Sequence, residues 1–160
     1  MKKLVSLYVK GGDYDAGYYY RFHQYFRELS VLVRKHQMYS DYVYSKYIPT
    51  YNRPAYIKAL LWIYQVIRVF IQLVKDCFKR PEVLVISRRL VSKWSPQLIN
   101  LLLISISRRG TKIIWDFDDN ILASRECDRR AFSTYCKVSS SIVVASKELI
   151  GIIPDIYKNP

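Results

Sequence analysis

Short, unbroken apolar runs alternate along this chain with longer stretches in which apolar residues return every three or four positions. The first pattern marks buried strands and the second marks helices with one apolar face. Residues 4–9 (LVSLYV) form the first run, and Gly11-Gly12 closes it as a turn. After a loop over 13–17, Tyr19, Phe22, Phe26, Leu29 and Val33 are spaced as one helical face, predicting a helix over 18–33. Tyr42-Val43-Tyr44 predicts a short strand stopped by Pro49. Pro54 then opens a long helix over 55–79. Its polar residues Lys58, Gln65, Arg68, Gln72, Lys75 and Lys79 fall on one narrow stripe, leaving a very wide apolar face that includes Trp62, Ile63, Val66, Ile67, Phe70 and Ile71.

Pro81 ends that helix, and 83–86 (VLVI) is an all-apolar strand of the kind covered on both faces in parallel sheets. Ser95-Pro96 opens a helix over 97–109, closed by Gly110. A strand over 112–115, a helix over 125–138, a strand over 141–145 and a short helix from Lys147, capped by Ser146, complete the pattern. The order β-α-β-α-β-α-β-α-β-α predicts an α/β fold: a Rossmann-like, doubly wound parallel sheet flanked by helices, with right-handed crossovers, as a single domain over 1–160. No internal repeat or low-complexity linker interrupts it.

Composition adds the sign of the partner. The chain has 26 Lys+Arg against 13 Asp+Glu, a formal charge of +13, and 51% apolar residues. This is globular in character and calls for an anionic partner: a phosphorylated small molecule, an anionic lipid surface or nucleic acid. No nucleic-acid-reading motif is present, so the last class is set aside. The 15 Tyr suit boundaries between apolar and wet regions. Cys77, Cys127 and Cys136 are odd in number and lack CxxC spacing, which supports neither a disulfide framework nor a zinc site. The apolar run after Lys2-Lys3 is too short for a signal peptide and has no small-residue cleavage site, so a reducing cytoplasm is the expected compartment.

Against that basic background, three carboxylates crowd one strand end: Asp116, Asp118 and Asp119 in the segment KIIWDFDDN. Strand ends of this kind are where open α/β sheets bind ligands. Alternation sends Asp116 and Asp118 to one side and Phe117 and Asp119 to the other. Crowding predicts a raised carboxylate pKa, useful in a general base. Two plainer readings stay open: Asp119 or Asn120 as a helix cap with Asp116 holding loop amides, or Asp-x-Asp as a hard-cation site. In the first loop, Gly12 and Gly17 bracket a turn that could cradle an anion, with Arg21 one helical turn further on and His23 beside it. The long helix suits either a sheet-covering role or a peripheral membrane contact, and Arg88-Arg89 with Lys93-Trp94 makes a basic-aromatic patch near the strand ends.

Taken together, these segments resemble the N-terminal domain of bacterial GT-B glycosyltransferases. Residues 110–122 match its K-ϕ-ϕ-[YWF]-D-ϕ-D-D signature, where ϕ is apolar, and residues 140–149 are similar to its strand-and-helix segment with S-x-x-L. Gly17-Tyr18-Tyr19-Tyr20-Arg21 resembles its G-x-x-Y-R loop, and 81–88 its third strand with the terminal Arg88. Ser140 stands where the family often has Asp. The resemblance implies an acceptor-binding domain, in which Asp116, Asp118 and Asp119 would activate or position an acceptor hydroxyl; Gly12, Gly17, Arg21, His23 (a candidate base if its ring faces the cleft) and Arg88 are the candidate substrate-binding residues. It implies a glycan or lipid-linked acceptor, no metal at the reaction centre, and no cofactor beyond a nucleotide-sugar. That donor would be held by a second domain, for which this chain shows no counterpart. The expectation is therefore a chain inactive alone, working at the cytoplasmic face of the membrane with a donor domain or a donor-domain chain. A haloacid-dehalogenase-type, Mg²⁺-dependent phosphohydrolase using Asp116 and Asp118 is the alternative enzyme. A non-catalytic basic domain on anionic membrane is the alternative outside enzymes.

Overall fold

The computed structural model describes residues 3–11, 22, 31–48 and 53–157. Among them, five strands form one all-parallel sheet: β1 (Leu4–Val9), β2 (Leu32–Gln37), β3 (Val83–Ser87), β4 (Lys112–Phe117) and β5 (Ser141–Val144), in the order β2-β1-β3-β4-β5. Helices α1 (Asp41–Tyr47) and α2 (Ala55–Lys79) link β2 to β3, α3 (Gln97–Arg108) links β3 to β4, and α4 (Arg129–Val138) links β4 to β5. A one-turn helix α5 (Lys147–Ile150) and a 3-10 turn (Asp155–Tyr157) follow. The α/β, Rossmann-like fold expected from the alternation is the fold observed.

Side-chain alternation along the strands divides the core. Tyr8, Leu84, Ile86, Ile113, Trp115 and Phe117 meet α2, α3 and α4 on one face, while Val5, Leu7, Val9 and Val85 meet Phe22 on the other. Trp115 is the pivot of the larger core, with its ring 4.5 Å from Phe117, 5.1 Å from Phe132 and 5.2 Å from Tyr135. Burial of each such side chain stabilises the fold by about 1.5–3 kcal/mol, and each edge-to-face pair adds roughly 0.5–1.5 kcal/mol.

Four local expectations are corrected. The second strand is Leu32–Gln37, so Leu32 and Val33 belong to a strand instead of the end of a helix; the rest of 18–33, apart from Phe22, lies outside the described residues. Its polar string Arg34-Lys35-His36-Gln37 is tolerated because β2 is an edge strand, Asp76 accepts from Arg34, and His36 Nε2 stands 3.3 Å from the same carboxylate. Tyr42-Val43-Tyr44 lies within α1, where the Ser40 side chain accepts from the Val43 N–H at 3.3 Å. That cap satisfies a free helix donor and outweighs the strand preference of the aromatic residues. Helix α4 begins at Arg129, after Asp128 caps the Ala131 N–H at 2.9 Å, and the stretch from 121 to 125 is a turn. Ser146 occupies the N-cap position of α5 without a capping side-chain hydrogen bond.

The largest correction concerns α2. Its wide apolar face suited either a sheet cover or a peripheral membrane contact, and as a sheet cover it is only partial: Tyr56, Leu60, Ile63, Ile67, Ile71 and Phe78 are exposed. Only 17% of its most apolar 18-residue window is buried. The side that meets the sheet carries Gln65, Val69, Leu73, Asp76 and Cys77. Both polar residues there are satisfied. Gln65 accepts from the Tyr39 hydroxyl (3.2 Å) and the Ser92 N–H (3.1 Å), and donates to the Leu90 carbonyl (3.3 Å). Asp76 accepts from the Tyr8 hydroxyl (2.9 Å) and Arg34 (3.2 Å), with His36 Nε2 at 3.3 Å. A buried polar group costs stability only when it lacks such partners.

Candidate functional site

The chain leaves β1 toward β2 on one side and enters β3 on the other, which makes the gap between the carboxyl ends of β1 and β3 the switch point of the sheet. Lys10 and Gly11 follow β1, Arg88 and Arg89 follow β3, and Asp118 and Asp119 follow β4. Gly11 is needed for close approach, because a Cβ there would stand 2.8 Å from the Tyr44 ring.

The acids and Arg88 form one cluster. Arg88 donates through Nε to Asp118 Oδ1 at 2.7 Å and through Nη2 to Asp119 Oδ2 at 2.5 Å. One guanidinium thus spans two neighbouring carboxylates whose charges would otherwise oppose each other. Asp118 remains 25% exposed and Asp119 61%, so both are reachable from the cleft. Asp116 lies on the face opposite Trp115 and Phe117, as strand alternation requires. Asn120 acts as a turn cap, its Oδ1 accepting from the Ala123 N–H at 3.0 Å.

The backbone at Arg88 is itself unusual, with φ at +63°. A left-handed conformation costs a residue other than glycine roughly 1–2 kcal/mol. Two hydrogen bonds hold it: the Arg88 N–H to the Asp116 carbonyl at 2.6 Å, and Trp115 Nε1 to the Arg88 carbonyl at 2.9 Å. The turn aims consecutive arginines differently. Arg88 reaches the acids, whereas Arg89 is buried, ion-paired with Glu126 and 3.4 Å from Ser92 Oγ. Burial, and then the charge of Arg88, hold the Arg89 pKa below the usual guanidinium value.

Arg89 lines a crevice of about 330 Å³ together with Lys10, Tyr39, Arg53, Lys58 and Lys93. Five cations line it, and no carboxylate does among the described residues. Burial raises the pKa of the Tyr39 hydroxyl, so that group stays a neutral donor. A wider cavity of about 750 Å³ opens beside the acids, its wall starting at Asn120 and including Lys93, Trp94, Arg125, Asp128 and Arg129. Lys93 and Arg125 are also in left-handed conformation. Asp128 is committed to structure, accepting from the Ala131 and Ser95 N–H groups.

Of the residues expected at the site, Asp116, Asp118, Asp119 and Arg88 stand together at the ends of β3 and β4. Gly12, Gly17, Arg21 and His23 lie outside the described residues. Lys10, Tyr39, Arg53 and Glu126 had no place in the sequence reading of the site. No motif marks them, since loops of different elements bring them together. Among the described residues, no group of three or more His, Cys, Asp or Glu is placed to hold a metal ion. The thiols are poor nucleophiles: burial raises all three, Cys136 to about 11 and Cys127 to about 12. Neither a scan against protein-family models nor a search of curated proteins finds a match to this chain.

Proposed function

We propose that this domain is the acceptor wall of a GT-B-type glycosyltransferase working at an anionic membrane surface. The observation that supports the reading most is the Asp116–Asp118–Asp119–Arg88 cluster at the carboxyl end of the sheet, whose next residue, Asn120, is in the wall of a cavity of about 750 Å³. Sugar transfer needs a base at the acceptor hydroxyl and donors that fix the acceptor ring. The acids supply the first, with Arg88 setting the direction in which Asp118 and Asp119 point. Trp94, more than half exposed, supplies a flat apolar platform for a sugar ring at the far side of the cavity. The nucleotide-sugar and its leaving diphosphate belong to a second domain, in this or another chain.

Association with the membrane draws on α2. Among the described residues it is the one helix long and apolar enough to cross a membrane by length and composition. It lies along the sheet as the β2–β3 crossover, so it offers its outer side to a surface. A charge of +13 favours an anionic one.

The test is ligand-observed NMR on the purified chain with panels of oligosaccharides, sugar phosphates and nucleotide-sugars. A glycan should receive saturation, Asp118→Asn and Asp119→Asn should weaken it, and no nucleotide-sugar should be turned over by the chain alone. Absence of any glycan contact sinks the reading. Mg²⁺-dependent hydrolysis of p-nitrophenyl phosphate that disappears in Asp116→Asn replaces it with the phosphohydrolase.

A further inference from the structure

The cationic crevice and the outer apolar surface are joined at one place. Trp62, on α2, lines the crevice, and its Nε1 donates to the Trp94 carbonyl at 3.0 Å. The two indoles stack with centroids 5.3 Å apart. Beyond this pair lies a groove between α2 and α3, about 220 Å³, walled by Val66, Ile67, Phe70, Pro96, Leu98 and Ile99. Val66 is one helical turn past Trp62 and Pro96 two residues past Trp94, so the groove begins beside the stacked rings. Cations gather on one side of the indoles, and the walls on the other are hydrocarbon.

We propose that crevice and groove are the two halves of one site for a single-chain lipid phosphate, with the phosphate among Lys58, Arg89 and Lys93 and the chain in the α2–α3 groove. Among the described residues, neither Lys58 nor Lys93 pairs with a carboxylate, and both are exposed at the crevice mouth. Arg89 is fixed in its wall by Glu126. A free phosphate would satisfy the cations and leave the groove empty. An uncharged chain would fill the groove and leave the cations unmet. Only a molecule carrying both parts matches both halves. The site deepens the acceptor reading, on which it rests for the meaning of the bound lipid, but binding is measured without turnover.

Isothermal titration and tryptophan fluorescence on the whole chain, with dodecyl phosphate below its critical micelle concentration, test it against inorganic phosphate and dodecyl maltoside. Dodecyl phosphate should bind at least about tenfold more tightly than either comparator, since each shares only one of its two parts. The Lys58→Glu/Lys93→Glu double variant should lose the advantage over dodecyl maltoside, and Leu98→Gln should lose the advantage over phosphate. All three positions are exposed, so circular dichroism should show intact folds. Equal affinity for dodecyl phosphate and dodecyl maltoside, or charge variants that bind as wild type does, would overturn the site as mere apolar adsorption. Equal affinity for inorganic phosphate would reduce it to a phosphate crevice. Lipid-phosphate binding without glycan contact would keep this site and remove the transferase reading; glycan contact without lipid-phosphate binding would do the reverse.

Discussion

Helices α2 and α4 pack on the same face of the sheet and follow opposite rules. In α4 the apolar residues Ala131, Phe132, Tyr135, Cys136 and Val138 face inward, while Arg129, Arg130 and Lys137 face water. In α2, Gln65 and Asp76 face inward while Leu60, Ile63, Ile67 and Ile71 are left in the open. The difference lies in where the partners come from. Arg129, Arg130 and Lys137 gain nothing inside. Gln65 and Asp76 meet groups from β1, β2 and two loops that fully occupy them, so burying them carries little cost. The exposed leucine and isoleucines then forgo up to about 1.5–3 kcal/mol each, the value of complete burial. A helix that leaves so much apolar surface uncovered is suited to a partner or a lipid phase.

That contrast can be broken by substitution. The largest effects are expected inside. Phe132→Ala should cost about 3–5 kcal/mol in urea denaturation, whereas Ile67→Ala should stay within roughly 0.5 kcal/mol of wild type. A loss at Ile67 comparable to that at Phe132 would mean that the outer face is core after all.

Asp76→Ala should be nearly as severe, about 3–5 kcal/mol, because Arg34 then loses its buried counter-charge and the buried Tyr8 hydroxyl its acceptor. It also makes the α2 contact sensitive to acid. Burial pushes the Asp76 carboxyl up, but hydrogen bonding and charge from His36, with further hydrogen bonds from Tyr8 and Ser6, outweigh it and leave the pKa lowered. Its stabilisation is therefore present above the ordinary carboxylate pKa, about 3.9, and is lost as pH falls through the lower folded value. Wild type should lose stability over that window more steeply than Asp76→Asn. Equal slopes would show that the ionised form contributes nothing.

A smaller effect separates backbone from side chain at the site. Arg88→Gly and Arg88→Ala both lose the clamp on Asp118 and Asp119, yet the glycine variant should be the more stable by about 1–2 kcal/mol. The reverse order would locate no strain at that turn. Smallest in stability, Ile63→Gln and Ile67→Gln should shift unfolding by no more than roughly 0.5 kcal/mol. Those two should nonetheless lose co-sedimentation with phosphatidylglycerol vesicles, and undiminished sedimentation would detach α2 from the membrane reading.

Much of this architecture was legible where local pattern and burial agree. The apolar runs at β1 and β3, the bounds of α2 and the close of α3 just before Gly110, which is left-handed at φ +92°, all followed from spacing and punctuation. Strand β2 was hidden because its Arg34 and His36 are polar, and Asp76, the carboxylate that compensates them in the fold, comes from a distant helix. The orientation of α2 was hidden for the same reason. At the site, the acid cluster and Arg88 were visible as residue types at strand ends. Their pairing was not, since it depends on a left-handed turn at an arginine, a conformation that the residue type argues against. The crevice was less legible still, because Lys10, Tyr39, Arg53 and Lys93 come from separate connections.

The buried thiols have a practical side. Cys77, Cys127 and Cys136 are all buried, and burial raises each thiol pKa, so the folded protein should be slow to react with maleimides near neutral pH. A single cysteine placed at Ile67 or Leu98 would then take a spin label or environment-sensitive dye by itself. The native chain thus serves as its own blank for measuring whether the outer side of α2 enters a bilayer.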